Sequence, residues 1–149
     1  MQFIPGAGFS SDGGYVPGAG FIKTSSVSLS YLTPISDISS GSWTPSTGAT
    51  LYGVLDEAVA DSGDYIQTTT NTDTCEVKLA SGGGTVTAGN LKYRLEAGTG
   101  TVTVNLVQTS TVLYTFGPHT LTGAVQDFTQ SVSGITNDSD LRVRFTSGT

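Results

Sequence analysis

Apolar and polar residues alternate with a period of two over most of the chain beyond residue 64. Cys75, Val77 and Leu79 fall on one side of such a segment, with Glu76 and Lys78 on the other. Leu91, Tyr93 and Leu95 alternate with Lys92, Arg94 and Glu96, and Val102, Val104 and Leu106 with Thr101, Thr103 and Asn105. Val112, Tyr114 and Phe116 mark a further strand closed by Gly117-Pro118, and Leu121, Phe128 and Val132 one or two more across 119–133. Leu141, Val143 and Phe145 alternate with Arg142 and Arg144. A two-residue period places successive side chains on opposite faces of a half-buried strand. The runs Gly82–Gly84 and Gly98–Gly100 supply turns between strands.

Upstream, Ala49–Val54 predicts a strand with Leu51 facing in. Leu55–Asp61 is too short for a stable helix and is expected to be a loop or a single turn. Val27, Leu29 and Tyr31 alternate with Ser26, Ser28 and Ser30, which predicts a first strand over 26–32, stopped by Pro34, with residues 36–42 as loop. Eight or nine short strands at roughly ten-residue spacing predict an all-β fold, an antiparallel β-sandwich of jelly-roll type over 41–149.

Residues 1–40 hold an extended Gly/Pro-rich N-terminal arm together with that first strand. Ile4-Pro-Gly-Ala-Gly-Phe9 recurs as Val16-Pro-Gly-Ala-Gly-Phe21, so Phe3, Phe9, Tyr15 and Phe21 follow one another every six residues. Proline and glycine at this density block a helix and weaken a strand ladder. Such a segment cannot bury its own rings. It is either an elastin-like free tail or a strap whose rings dock on a partner, and the regular ring spacing together with the solubility cost of exposed aromatics sets docking level with the free tail.

Composition sharpens the class. The chain has 149 residues, 20 of them glycine and only 12% charged, which suits one β domain better than a helical bundle. Six Tyr, six Phe and one Trp are enough for a packed core. A formal charge of −6 disfavours nucleic acid as a partner. No apolar run reaches membrane-spanning length, so no membrane contact is expected. The first 23 residues have no basic start and no unbroken apolar core of a secretory signal, so synthesis in a cytoplasm is expected.

Candidate chemistry is sparse. The lone Cys75 forms no internal disulfide and is expected to be a small buried apolar residue. His119 follows Gly117-Pro118 and is expected on an exposed turn. The Gly82–Gly84 run precedes no helix and is expected to be a turn rather than a phosphate cradle. Asp56, Glu57, Asp61 and Asp64 crowd one loop, but their spacing lacks the Asp-x-Asp-x-Asp-Gly pattern of an EF-hand, so no metal and no other cofactor is expected. Carboxylates confined to one short loop are also poorly placed to flank a glycosidic bond, and no Gly-x-Ser-x-Gly elbow is present. The chain is not expected to be an enzyme.

The outward positions concentrate five of the six basic residues: Lys78, Lys92, Arg94, Arg142 and Arg144. If the strands carrying Arg94 and the Arg142/Arg144 pair are neighbours, they form a basic stripe that Asp56, Asp61 and Asp64 could cover. Solvated outer-face charge is the plainer alternative. Trp43, Tyr52 and Tyr65 could form a sugar-stacking platform, although a Trp at a strand entry more often plugs the end of a core.

The stretch Trp43, Gly48, Leu51, Tyr52, then Leu55, Asp56, Glu57, then Asp61, Asp64, Tyr65, Ile66 resembles a sandwich module of structural proteins in tailed bacteriophages. Lys92-Tyr93-Arg94 and Leu141-Arg-Val-Arg-Phe145 fit the same pattern, so the resemblance covers about residues 43–146. It departs at Ala58-Val59-Ala60, where the family tends to be Pro-rich, and the arm lies outside it. The resemblance implies a virion protein. A small acidic domain with a docking arm is most similar to a capsid cement or decoration protein, binding the major capsid protein and itself as a homo-oligomer such as a trimer, at the capsid surface. The alternative is a tail, baseplate or head-fibre module that binds host-surface glycans through Trp43, Tyr52 or Tyr65.

Overall fold

Cys75, Val77 and Leu79 do share a buried face, at 0%, 1% and 7% exposure, and the strand that carries them is an inner strand of the larger sheet. In the computed structural model, which describes residues 31–56, 63–96 and 98–149, nine β-strands and one short 3₁₀ turn are formed among the described residues. They are β1 (Pro34–Ser39), β2 (Thr44–Pro45), β3 (Ile66–Gln67), β4 (Thr74–Leu79), β5 (Val86–Leu95), β6 (Thr101–Gln108), β7 (Thr111–Thr120), β8 (Gln126–Ile135) and β9 (Leu141–Gly148). The fold is all-β, and every paired strand is antiparallel.

Five strands form one sheet in the order β1-β4-β9-β6-β7, β5 pairs with β8 as a separate ribbon, and β2 pairs with β3. Val77, Leu79, Val102, Val104, Leu106, Leu141 and Val143 of the sheet share one apolar cluster with Leu95 of β5 and Val132 and Ile135 of β8. Trp43, 8% exposed, and Leu51, 1% exposed, join the same cluster. The Trp43 ring lies 6.4 Å from that of Phe145, which is the core-plug role rather than a surface one.

Several local expectations are corrected. The segment from Pro34 to Ser39 is a strand, not a stop followed by loop. It is an edge strand that begins at its proline, so the missing N–H disturbs no inner ladder. Residues 26–30 lie outside the described residues, and Tyr31, the last of the alternating apolar residues of the predicted first strand, is not in a strand and is 68% exposed. Ala49–Val54 is not a strand either: Tyr52–Val54 form the 3₁₀ turn, while Leu51 is buried as expected. The turn is held from β1, where the Asp37 carboxylate accepts the Leu51 and Tyr52 N–H groups at 2.9 and 2.8 Å. Val112, expected to face in, is 43% exposed.

Gly117-Pro118 does not close the seventh strand, which runs through it to Thr120. Val102 pairs with His119 and Val104 with Phe116, so β7 holds one extra residue there as a bulge. Gly117 has φ +99°, and a Cβ on it would lie 2.9 Å from the Val102 carbonyl, so the bulge requires glycine.

Candidate functional site

The polar chemistry of the described residues is concentrated in three places, two of them built on carboxylates. The first lies on the outward face of β4 and β9. Pairing sets Glu76 opposite Arg144 and Lys78 opposite Arg142. Glu76, on the polar side of the alternation, is nevertheless only 5% exposed. It accepts the Arg142 Nη1 at 3.0 Å and the Arg144 Nε at 2.7 Å. Asp140 takes the other side of Arg142 at 2.7 Å and lies 3.4 Å from Lys78 Nζ. The hydrogen bond from Arg142 holds the Asp140 carboxyl below its ordinary range, and Asp140 and Glu76 together raise the guanidinium.

The second place joins the β4–β5 turn to the β8–β9 turn. Asp138, 4% exposed, accepts the Ser81 hydroxyl at 2.8 Å and the N–H groups of Gly82, Gly83 and Gly84 at 2.8, 3.1 and 3.1 Å. Its own N–H donates to the Gly84 carbonyl at 3.0 Å. A Cβ on Gly82 would stand 2.9 Å from the Asp138 carboxylate, so the glycine permits this close approach. Burial alone would raise this carboxyl, but the Ser81 hydroxyl and the three backbone donors outweigh it and hold it below the ordinary value. The run is a turn, as expected, whose N–H groups form a nest filled by the protein's own side chain. Asp73 acts similarly on the Ser42 N–H at 2.7 Å.

The third place is aromatic. The Tyr93 hydroxyl lies 2.7 Å from His119 Nε2, the His119 ring lies 4.1 Å from that of Phe128, and Tyr93 stacks on Phe128 at 5.1 Å. His119 is therefore half-buried on a strand, not exposed on a turn. Burial lowers its pKa from 6.5. A lowered histidine pKa means that the folded state holds fewer protons than the unfolded one. Its contribution to stability is complete above pH 6.5 and is lost as pH falls below that value. The urea midpoint is expected to drop between pH 7.5 and pH 5 in the native chain, and His119→Gln is expected to flatten that drop. An equal drop in the variant would assign it to other groups.

The expected site residues are placed as follows. Phe3, Phe9, Tyr15, Phe21 and Asp61 lie outside the described residues. Arg94 and the Arg142/Arg144 pair are not neighbours, because β5 and β9 belong to different sheets, and no common basic stripe forms. Arg94 instead binds Asp127, its cross-strand partner on β8, through two bonds of 2.7 and 3.1 Å. Asp64 accepts the Thr47 hydroxyl at 3.1 Å and bonds none of the three arginines, and Asp56 makes no bond to them. Trp43 is inside the core and Tyr52 packs against it, whereas Tyr65 is 46% exposed, so the three rings offer no common platform. Beside Trp43, Ser42, Thr44, Gln67, Thr68 and Thr69 line an open cleft of about 220 Å³.

Cys75 is fully buried, and burial pushes its thiol up to about 12, which leaves it protonated and unreactive. Among the described residues no three His, Cys, Asp or Glu side chains gather as metal ligands, and no helix is long and apolar enough to cross a membrane. Sequence reasoning missed Glu76, Asp138 and Asp37. The only signal for the Asp138 nest was a triple glycine 54 to 56 residues away from its acid. Comparison with known proteins returns no family model, no curated protein and no solved structure that matches the chain.

Proposed function

We propose that this chain is an adhesive structural protein of a bacteriophage virion, a capsid decoration protein that strengthens the shell by binding across major capsid protein subunits. The observation that carries the reading is the exposure of Tyr31, Ile35 and Ile38 at 68%, 49% and 43%, on and just before the edge strand β1. Large apolar side chains exposed where the aromatic-rich leader enters the domain give a contact surface continuous in sequence with Phe3, Phe9, Tyr15 and Phe21. The carboxylates of Asp37, Asp73, Glu76, Asp138 and Asp140 are committed to holding loops and strands, as expected of a scaffold. We read the β4-β9-β6-β7 sheet with the β5-β8 ribbon as a jelly-roll sandwich that lacks one hairpin of its second sheet.

The function is purely mechanical in this reading. Rings buried across two capsid subunits oppose their separation under the pressure of packaged genome. Deleting residues 2–25 is expected to leave the unfolding transition of the domain unchanged and to abolish retention on purified capsids. Capsids without the protein should release genome at lower temperature than capsids with it. Unchanged capsid stability would sink the proposal. Retention on immobilised glycans, lost on Gln67→Ala, would point to the tail or head-fibre alternative, for which the cleft of hydroxyl and amide side chains beside Trp43 is the natural site.

A further inference from the structure

Apart from the two-residue strands, four strands of the described residues lie at sheet edges: β1 and β7 bound the five-stranded sheet, and β5 and β8 each have one open side in the ribbon. Open edges template pairing with other chains, and proteins blunt them with proline, lysine or bulges. Three of the four are blunted in this way. β1 starts at Pro34 and shifts register twice against β4. β7 contains Pro118 and twice sets an extra residue against β6. β5 presents exposed Lys92 beside Arg94. β8 has none of these devices. It is ten residues long, without proline or lysine, and its ladder with β5 shows no register shift. Its only charge, Asp127, is neutralised by Arg94.

The direction of its free backbone groups follows from one contact. The Ser133 N–H donates to the Tyr114 hydroxyl at 3.0 Å, and that hydroxyl donates to the Ser133 carbonyl at 2.7 Å, so both groups of Ser133 turn away from β5 toward β7. With a period of two, the backbone groups of Ser131, Thr129 and Asp127 turn the same way. Tyr114 stands in for a neighbouring strand at one residue, and the three preceding outward positions have no strand of the described residues beside them. Tyr114 and Phe116, stacked at 5.9 Å with planes 6° apart, offer half-buried rings next to this edge.

We propose that the open edge of β8 accepts a strand from a second copy of this chain, and that the donor is the segment 25–31. Val27, Leu29 and Tyr31 alternate there with Ser26, Ser28 and Ser30, and no glycine, proline or charge occurs from Thr24 to Thr33. An uncharged donor suits an uncharged edge, and its alternate apolar side chains suit the Tyr114–Phe116 rings. The donor comes from another copy because Tyr31 leads directly into β1, at the opposite edge of the sheet from β7. Four strand spacings, roughly 19 Å, separate those edges. Donation from copy to copy is heterologous and closes into a ring when the rotation permits. The inference holds with or without a capsid as partner.

Sedimentation velocity of the full chain, combined with amide hydrogen exchange, tests it. The expected result is a concentration-dependent oligomer in which the amides of Asp127, Thr129 and Ser131 exchange slowly, and a dilute monomer in which they exchange fast. Thr129→Pro removes one outward donor while sparing the β5 ladder, and is expected to weaken self-association by at least about tenfold. Leu29→Asp, outside the described domain, should do the same from the donor side. A chain that stays monomeric at all concentrations, or an oligomer that both substitutions leave untouched, overturns the proposal. Slow exchange of those amides in the monomer overturns the second copy as donor.

Discussion

Replacing Asp138 with alanine is expected to lower the unfolding free energy by about 2–3 kcal/mol, because one buried carboxylate satisfies four donors on a separate turn. The loss is not larger because the glycines themselves are exposed and their N–H groups can turn to water. Asp138→Asn keeps one acceptor oxygen and should lose less. The same residue predicts an acid limb. A carboxyl held below its ordinary value contributes stability that is complete above about pH 4 and disappears as pH falls through the folded-state value. Asp127 and Asp140, lowered by their bonds to Arg94 and Arg142, act in the same direction. Urea titrations at pH 7 and pH 3 should therefore differ more for the native chain than for Asp138→Asn. Equal slopes with pH would show that the nest contributes nothing in the charged form.

The nest also shows what the sequence did and did not disclose. The inward faces of β4, β6 and β9 were legible because Cys75, Val77 and Leu79, Val102, Val104 and Leu106, and Leu141 and Val143 alternate with polar residues, whereas Val107 and Glu76 are buried against that pattern. Trp43 as a core plug was legible from its position before short strands. The edge strand β1 was not, because a proline that would break an inner strand is harmless at the first residue of an outer one. Gly117-Pro118 misled for a related reason: at an edge a bulge absorbs the extra residue and the strand continues, which carries His119 onto Tyr93 and Phe128. Side-chain partners across long sequence separations were the least legible. Glu76 looks like any outward strand residue until pairing sets two arginines around it, and Asp37 reveals its role only when the 51–54 turn folds onto β1.

Glu76→Ala is the second large effect, with an expected loss of about 2–3 kcal/mol in unfolding free energy. The acid is almost fully buried, while Arg142 and Arg144 keep 20% and 30% of their side chains exposed and can recover part of their hydration. That exposure places the loss below the usual cost of breaking a fully buried pair. The cost arises from leaving the Arg144 guanidinium without its acceptor, and Arg142 with Asp140 alone, rather than from the pair's net attraction, and this distinction can be measured. Glu76→Met combined with Arg144→Met removes both charges and keeps apolar volume over the β4–β9 pair. It is expected to be less destabilised than Glu76→Met alone, because Arg142 retains Asp140 on its other side. If the double variant lost the sum of the two single losses, Glu76 and Arg144 would be uncoupled, and the outer face of the sheet would be held by packing alone.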